Sequence, residues 1–459
     1  MEIITEELIA SQSPEAQMII RLLLAEIAQL KAQLAQNSRN SSKPPSSEHP
    51  HAKPSKQAIN KARRKAGGQP GHSKHERSLV SVDQCSEMIS CKPTQCRRCG
   101  EALSGTDSDP LRHQVWEIPE IKASITEYQL HRLRCSCGKT TCGELPAGVP
   151  LGAAGPRLIA LSSLLMVCFR LSKRRCALFL EQILGQQASA AWMVKLQNRA
   201  SEALQPSYRE LQQALPRQAV VQGDESPTKE GPIKAWTWTF VTRRFTLFAC
   251  RTSRKAEVVR EFLGPAYSGI LNCDRAKMYW AFGRLQWCWA HLIRDFQSLI
   301  DRPCSVSKRL GRDLQRPTRA MFELWKRVRD GSLERLEFQK QMIPIRSQIE
   351  ALLLRGKGDR KTRGLCAELW KYRTRLWTFV EEEGVEPTNN AAERALRPFV
   401  IWRKICFGTQ SAAGSRFLER MLTIIETCRQ QKRNCLDYLS QTLKAHFGKQ
   451  TPPSLLAGV

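Results

Sequence analysis

The chain has 459 residues, enough for roughly three or four domains, and 41% of them are hydrophobic, which excludes a chain disordered throughout. Its formal net charge of +29 predicts an anionic partner, and nucleic acid is the usual one. The longest apolar run, about a dozen residues from Leu158, is too short to cross a bilayer. The acidic N-terminus also lacks the basic region of a signal peptide. We therefore expect no membrane partner, a cytoplasmic location, and cysteines that are thiols or metal ligands.

Residues 1–36 are predicted to form a helix with a coiled-coil seam, because apolar residues recur at alternating three- and four-residue steps. The seam residues are Ile20, Leu23, Ile27, Leu30 and Leu34. A helix packed on its own domain is the alternative. Residues 37–80 are rich in Ser, Pro, Gly and basic residues, which predicts a flexible basic linker that contacts phosphates.

Residues 81–150 are predicted to be a zinc-binding domain. Two close cysteine pairs, Cys96 with Cys99 and Cys135 with Cys137, are separated by a strand-like segment and each precedes a glycine. This spacing is typical of a zinc ribbon, in which four sulfur ligands surround one Zn²⁺. Cys142 is an alternative to Cys137 as the fourth ligand. Buried free thiols are the competing interpretation.

Residues 151–215 are predicted to be helical. The segment "KRRCALFLEQIL" is amphipathic and ends at Gly185, and "SAAWMVKLQNRASEAL" begins a second helix after a short turn. This pattern suits a helix-turn-helix that binds DNA, although ordinary helical hairpins share it.

Residues 216–298 are predicted to be the first part of a catalytic core. Three strands, a helix and a fourth strand follow one another, and Asp224 and Asp274 stand at the ends of the first and fourth strands. This is the order of a ribonuclease-H-like domain. Each aspartate alone is more typical of a turn.

A helical insertion is predicted over residues 299–380, the second part of the core over 381–445, and a tail over 446–459. In "EPTNNAAERALRP", Asn390 is a suitable helix N-cap, Glu393 stands where a capping-box acid would, and Arg397 is placed to pair with Glu393. Pro398 is expected to end the helix.

The two aspartates and Glu393 also suit a joint chemical use. Cleavage and transfer of a phosphodiester can be supported by two divalent ions about 4 Å apart, and Mg²⁺ prefers carboxylate oxygens. Two neighbouring strands and a flanking helix can bring three carboxylates to one edge of a sheet.

The segments "GDES", "CDRAKMY", "CWAHLIRDF" and "PTNNAAERALRPFVIWRKICFGTQSAAGSRF" resemble the core motifs of the insertion sequence 66 (IS 66) family of bacterial transposases. The segment "NSSKPPSS…RRKAGGQPGH" resembles that family's linker, and the cysteine cluster resembles its zinc-binding domain. Ser226 departs from the pattern, since Thr is usual there, and the Cys-x-Cys pair is tighter than usual.

The resemblance implies a multidomain α+β protein and a DDE recombinase that acts on the terminal repeats of its element. It places the metal-binding triad, with Mg²⁺ or Mn²⁺, at Asp224, Asp274 and Glu393. The residues expected to support these ligands or contact DNA are Asn389, Asn390, Arg394 and Arg397. His291, which follows an apolar strand, is more typical of a core residue, and we leave it out of the catalytic set.

Double-stranded DNA is the expected partner, both as terminal repeats and as target, in a bacterial cytoplasm beside the nucleoid. A homodimer or larger oligomer on DNA, and accessory proteins encoded by the same element, are compatible with this interpretation. Two other functions compete with it. A zinc-containing DNA-binding regulator would need no triad, and an inactive transposase derivative would keep the fold without the reaction.

Overall fold

The computed structural model describes residues 6–36, 41–42 and 78–456, so the predicted linker lies almost entirely outside the described residues. The chain divides into two compact units, residues 49–123 and residues 1–48 with 124–459. Within the described ranges the protein is a mixed α/β structure with fourteen α-helices and two sheets. No helix in these ranges has the length and apolar character needed to cross a membrane.

The N-terminal region begins with α1 (Glu6–Ala10) and α2 (Pro14–Leu34). The hydroxyl of Ser13 caps α2 by accepting the Ala16 N–H at 3.3 Å, and Pro14 fits the first helical turn. The predicted helix is therefore present. Its seam side chains Leu23, Ile27, Leu30 and Leu34 are all exposed. Ile20 of the seam is half-buried, and both interpretations, a coiled coil and a helix packed on its own domain, stay predictions.

The segment predicted to be strand-like, from residue 113, contains no strand before β1 (Arg132–Arg134). β1 pairs in antiparallel fashion with β2 (Thr140–Cys142). An alternating pattern forms a strand only where a partner backbone completes the ladder and one face is covered. The side chains of Val115, Ile118 and Ile125 are exposed, so this condition is not met.

The helical region contains α3 (Pro156–Val167), α4 (Lys173–Leu184) and α5 (Ala190–Ala214). The predicted stop at Gly185 is confirmed, since this residue ends α4 in the left-handed region at φ 63°. The hydroxyl of Ser189 caps α5 by accepting the Trp192 N–H. Two C-terminal helices, α13 (Ala412–Gln430) and α14 (Cys435–Phe447), pack against α3 and α5.

The larger sheet has five strands in the spatial order β5-β4-β3-β6-β7. β3, β4 and β5 are antiparallel, whereas β6 and β7 run parallel to β3. A helix, α6, connects β5 to β6. The bounds are β3 (Val220–Glu230), β4 (Ile233–Val241), β5 (Thr246–Arg251), α6 (Ala256–Leu263), β6 (Ile270–Cys273) and β7 (Leu285–Trp287).

Two features of this sheet differ from the expectation. β3 continues past Asp224 to Glu230, because the β4 partner extends its ladder as far as Ile233. β7 was not predicted from the sequence, because it has only three residues and is held by pairing with β6 and not by a pattern of its own.

The predicted helical insertion is helical in the structure. α7 (Trp289–Asp301) precedes it and forms the first partner for its helices. The insertion itself contains α8 (Ser305–Arg329), α9 (Arg335–Gly358), α10 (Arg363–Lys371) and α11 (Thr374–Glu381). Its core includes Trp325, Phe338 and Phe379, whose rings contact one another at centroid distances of 5.5–6.1 Å.

The helix that carries Glu393, α12 (Asn390–Cys406), corrects two local expectations. Asn389, not Asn390, is the N-cap, and its side chain does not cap the helix. Pro398 lies inside the helix, which continues for two more turns because Phe399 is buried on its inner face. A proline removes one backbone donor, and here the packing of the following turn outweighs that loss.

Candidate active site

Asp224 and Asp274 lie at the same level on neighbouring parallel strands. The parallel register pairs Gln222 with Asn272, and each aspartate stands two residues further along the chain than its member of this pair. β6 ends at Cys273, so Asp274 follows directly where the sheet opens. Asp224 lies inside the longer β3 but beyond the part that pairs with β6.

The segment that precedes α12 is held against these strands by buried side chains. The amide of Asn272 donates to the carbonyl oxygens of Glu386, at 2.7 Å, and Thr388, at 3.1 Å. The amide of Asn389, which is fully buried, donates to the Gly223 carbonyl at 3.3 Å. The start of α12 is thereby fixed beside β3 and β6, and Glu393 projects from its first turn.

The three acidic residues interact electrostatically. Burial, followed by the charges of Glu225, Asp274 and Glu393, raises the pKa of Asp224 well above its usual value. Burial also raises the pKa of Asp274, although Arg254, Arg275 and Arg294 oppose this shift. Burial raises the pKa of Glu393 too, and the Asp274 charge adds to the increase. Carboxylates with raised pKa values that affect one another are a common feature of functional sites.

A fourth carboxylate, Glu225, was not predicted as a site residue. Its side chain is only 3% exposed and accepts hydrogen bonds from Tyr279, at 2.6 Å, and from Arg254, at 2.7 Å. Burial and the Asp274 charge raise its pKa to about 7, despite these two donors. The signal available in the sequence was that Glu225 directly follows Asp224. In an alternating strand, however, successive side chains point to opposite faces, and this argued against a shared site.

From its sequence context His291 was interpreted as a core residue, but in the structure it lies beside Glu393. Its Nδ1 is 3.7 Å from a carboxylate oxygen of Glu393, and Arg294 is 3.9 Å from the same oxygen. Burial lowers the pKa of His291 to about 4, so the ring is neutral near pH 7. The available signal was "CWAH", which places a cysteine and a histidine three residues apart at a helix start.

One group of potential metal ligands in the described ranges brings three donor atoms within 4.8 Å of one another. It consists of Cys288, His291 and Glu393. Asp224 and Asp274 do not belong to this group. The Glu393 carboxylate therefore lies close to His291 of α7. Its charge still contributes to the raised pKa of Asp224.

The other predicted residues of α12 differ in exposure. Asn389 is buried, whereas Asn390, Arg394 and Arg397 are exposed. The ion pairs of Glu393 are with His291 and Arg294, so the expected pair with Arg397 is not among them. Exposed arginines near the acids are suitably placed to contact an anionic ligand.

The cysteine pairs form two similar turns. Cys96 accepts the Gly100 N–H at 2.9 Å through its carbonyl, and Cys135 accepts the Gly138 N–H at 2.8 Å. Both glycines have positive φ, at 76° and 87°. Hydrogen bonds from Arg98 and Cys99 lower the pKa of Cys96, and those from Cys137 lower the pKa of Cys135. Cys96 and Cys99 belong to the smaller unit, and Cys135 and Cys137 to the larger one.

Sequence comparison identifies the class of protein to which this fold and this acidic site belong. Residues 152–416, more than half of the chain, match the family described as "Transposase IS66 family". The chain therefore belongs to the IS66 family of transposases. Residues 5–78 match a family of unknown function (DUF6444).

Two curated relatives come from Sinorhizobium fredii (strain NBRC 101917 / NGR234). The uncharacterized protein y4qI is 27% identical over 248 residues, which cover 48% of this chain and 45% of that protein. The match therefore spans less than half of the length of y4qI. The uncharacterized protein y4hP is 24% identical over 382 residues, which cover 73% of this chain and 68% of that protein.

The raised pKa of Glu225 predicts a pH-dependent stability. Between its ordinary value of 4.5 and about 7, the folded protein binds a proton that the unfolded chain releases, so wild-type stability falls as the pH rises through this window. Glu225→Gln lacks this titration. The unfolding free energy of the variant minus that of wild type should therefore increase from pH 5 to pH 7, by about 1.4 kcal/mol for each pH unit within this window.

Urea denaturation at several pH values measures this difference. The control is Glu337→Gln, because Glu337 is exposed on α9 and its ion pair with Lys340 is 3.9 Å long. The pH dependence of the Glu225→Gln difference is compared with that of this control. A Glu225→Gln difference that does not change between pH 5 and pH 7 would contradict the raised pKa.

Proposed function

We propose that this protein is a DDE recombinase that binds the terminal inverted repeats of an insertion element and catalyses DNA strand cleavage and strand transfer. The observation that carries the proposal is electrostatic: beyond the effect of burial, the charges of Asp274 and Glu393 raise the pKa of Asp224, and the charge of Asp274 raises the pKa of Glu393. The sheet order β5-β4-β3-β6-β7, with a helix before β6, supports a ribonuclease-H-like core.

The donor chemistry of the triad fits Mg²⁺ or Mn²⁺, which prefer carboxylate oxygens. When bound, two such ions would polarise the scissile phosphate and activate the attacking hydroxyl. Glu393 is 38% exposed and lies in the first turn of its helix, so its side chain has room to turn toward the aspartates. The raised carboxyl pKa values would be lowered by the bound cations, since opposite charge favours the ionised form.

Basic residues beside the triad are suited to hold the DNA backbone. An open groove next to Asp274 is lined by Arg254, Lys255 and Lys277. Arg254 is oriented by its hydrogen bonds to Glu225. Together with the exposed Arg394 and Arg397 of α12, these groups would position phosphates at the acidic centre.

Removing one triad carboxylate should abolish the reaction and spare DNA binding. We expect Asp274→Asn and Glu393→Gln to reduce strand cleavage in Mg²⁺ by a factor of at least about 10³, because each removes a charged ligand of the shared ions. The measurement is nicking of an oligonucleotide that carries the element's end, with a binding assay in parallel.

The control variant is Asp437→Asn, which changes an exposed aspartate whose partner is Arg157 on the surface. It should cleave like wild type. Full cleavage by Asp274→Asn would exclude the triad. Binding without any metal-dependent cleavage by wild type would favour the zinc-containing regulator or the inactive derivative.

We also propose the structural Zn²⁺ that the cysteine spacing predicts, with Cys96, Cys99, Cys135 and Cys137 as ligands and Cys142 as the alternative fourth ligand. Each turn by itself supports only its own pair of ligands. Each turn has the glycine at positive φ and the inward N–H groups that stabilise thiolates. Metal analysis tests this proposal. Cys96→Ser should lose one zinc per chain relative to wild type, and Cys91→Ser, at an exposed cysteine nearby, should retain it. Equal zinc in both variants would leave the free-thiol interpretation.

The helical insertion is proposed to hold DNA over the acids. Arg309, Arg312, Arg316 and Arg319 are all exposed and recur at three- and four-residue steps, so they form one basic face of α8. The same helix reaches the segment before α12, because the Trp325 indole donates to the Glu386 carboxylate at 3.1 Å. The insertion can therefore both contact DNA and order the helix that carries Glu393.

Reversing the charge of these four arginines should impair strand transfer by about tenfold or more while binding to the terminal repeats changes less, since the lost phosphate contacts lie over the acids. The control replaces Lys340 and Lys357, exposed on α9, with glutamate. Strand transfer that is intact after the arginine reversal would make the insertion a scaffold only.

DNA as the substrate would place the protein in the bacterial cytoplasm with the nucleoid. Assembly on two element ends would require at least a dimer, and the exposed α2 seam is a suitable contact for one. Accessory proteins of the same element would be further partners.

A further inference from the structure

Cys288, His291 and Glu393 form a compact set of donors outside the pair of aspartates. Their donor atoms all lie within 4.8 Å of one another, and Nδ1 of His291 is 3.7 Å from Oε1 of Glu393. Ligands of a tetrahedral zinc ion lie about 2.0–2.3 Å from the metal, which places them about 3.3–3.8 Å apart. The set is therefore close to the spacing of a zinc site.

The fold itself positions these donors. Cys288 is the N-cap of α7, and His291 stands one turn further on the same face. The Cys288 sulfur accepts the Asn389 N–H at 3.4 Å, and further N–H groups of Ala290 and His291 point toward it. Burial outweighs these donors and raises the pKa of Cys288 to about 11, so a bound cation would have to displace the thiol proton. The Asn389 hydrogen bond also ties the cysteine to the residue that precedes α12.

His291 supplies an independent indication of a ligand. Its Nδ1 atom is shielded from solvent, yet no hydrogen-bond partner for it is found in the described part of the chain. A buried polar atom without a partner costs free energy, so such atoms in native proteins usually have a functional explanation. This nitrogen faces the Glu393 carboxylate.

We propose that Cys288, His291 and Glu393 form a binding site for a thiophilic divalent cation of the Zn²⁺ class, distinct from the all-carboxylate Mg²⁺ set. Thiolate and imidazole are ligands that zinc prefers and magnesium does not. Three protein ligands leave the fourth position open. Arg294 also contacts Glu393, so the bound cation takes the place of this ion pair and its affinity comes mainly from the sulfur and the nitrogen.

The site has a consequence for catalysis that rests on the proposed function. Glu393 belongs to both sets, so zinc at Cys288 and His291 withdraws this carboxylate from Asp224 and Asp274. Zn²⁺ should then inhibit strand cleavage in the presence of Mg²⁺. The binding test below does not depend on activity, so a failure of the proposed reaction and a failure of the zinc site can be distinguished.

The test measures metal binding to the full chain in excess Mg²⁺. Wild type should bind one more Zn²⁺ per chain than His291→Asn or Cys288→Ser, as measured by calorimetry and metal analysis. With Co²⁺ as the probe, wild type minus Cys288→Ser should show a thiolate-to-cobalt absorption band. The difference measurement removes the contribution of the Cys96 and Cys135 turns.

Cys304→Ser is the matched control, because Cys304 is the N-cap of α8 and also has a thiol that accepts helix N–H groups. It should bind as much zinc as wild type. His291→Asn changes a side chain that is 30% exposed, so circular dichroism should show an intact fold. If folded His291→Asn binds the same number of zinc ions with the same affinity as wild type, the site does not exist, whatever Cys288→Ser does to folding.

Discussion

The candidate site depends on one buried amide. Asn272 lies on β6, two residues before Asp274, and its side chain donates to the backbone of Glu386 and Thr388, more than a hundred residues later in the chain. Asn272 is fully buried, and leaving its amide unpaired there would be costly. The hydrogen bonds therefore specify which part of the chain returns to the sheet. Asn389 adds a second tie, to Gly223 beside Asp224.

These contacts hold several carboxylates close together although their negative charges repel one another. Asp224, Glu225 and Asp274 all have pKa values raised by burial, and the charge of at least one neighbouring carboxylate raises that of Asp224 and of Glu225. The charges of Arg254 and Arg275 lower the pKa of Asp274 and so offset part of the repulsion. Arg275 is held in place by ion pairs of 2.9 Å with Asp295 and 2.8 Å with Glu368. A site of this kind lowers the stability of the fold and is retained where cations or phosphates bind.

The sequence predicted the elements with strong local signals. Gly185 ended its helix as expected, and the strands around Asp224 and Asp274 were found in the expected order. Features that depend on distant packing were not predictable. The short β7, the continuation of α12 through Pro398 and the partner of the Asn389 side chain are all determined by residues far away in the sequence. Local capping rules favoured Asn390, but tertiary hydrogen bonds decided the helix start.

For the same reason, His291 was not predicted as a site residue from the sequence. A histidine after an apolar strand is normally a packed residue, and only the return of α12 makes it a neighbour of Glu393. That return is supported from the other side by the insertion, since Trp325 contacts Glu386 and the Arg335 guanidinium donates to the Val380 and Glu382 carbonyls at 3.0 and 2.8 Å. The long insertion is thus structurally continuous with the segment that positions Glu393. The Trp325 hydrogen bond to Glu386 connects α8 directly to the segment that precedes α12, so the packing of α8 contributes to the placement of Glu393.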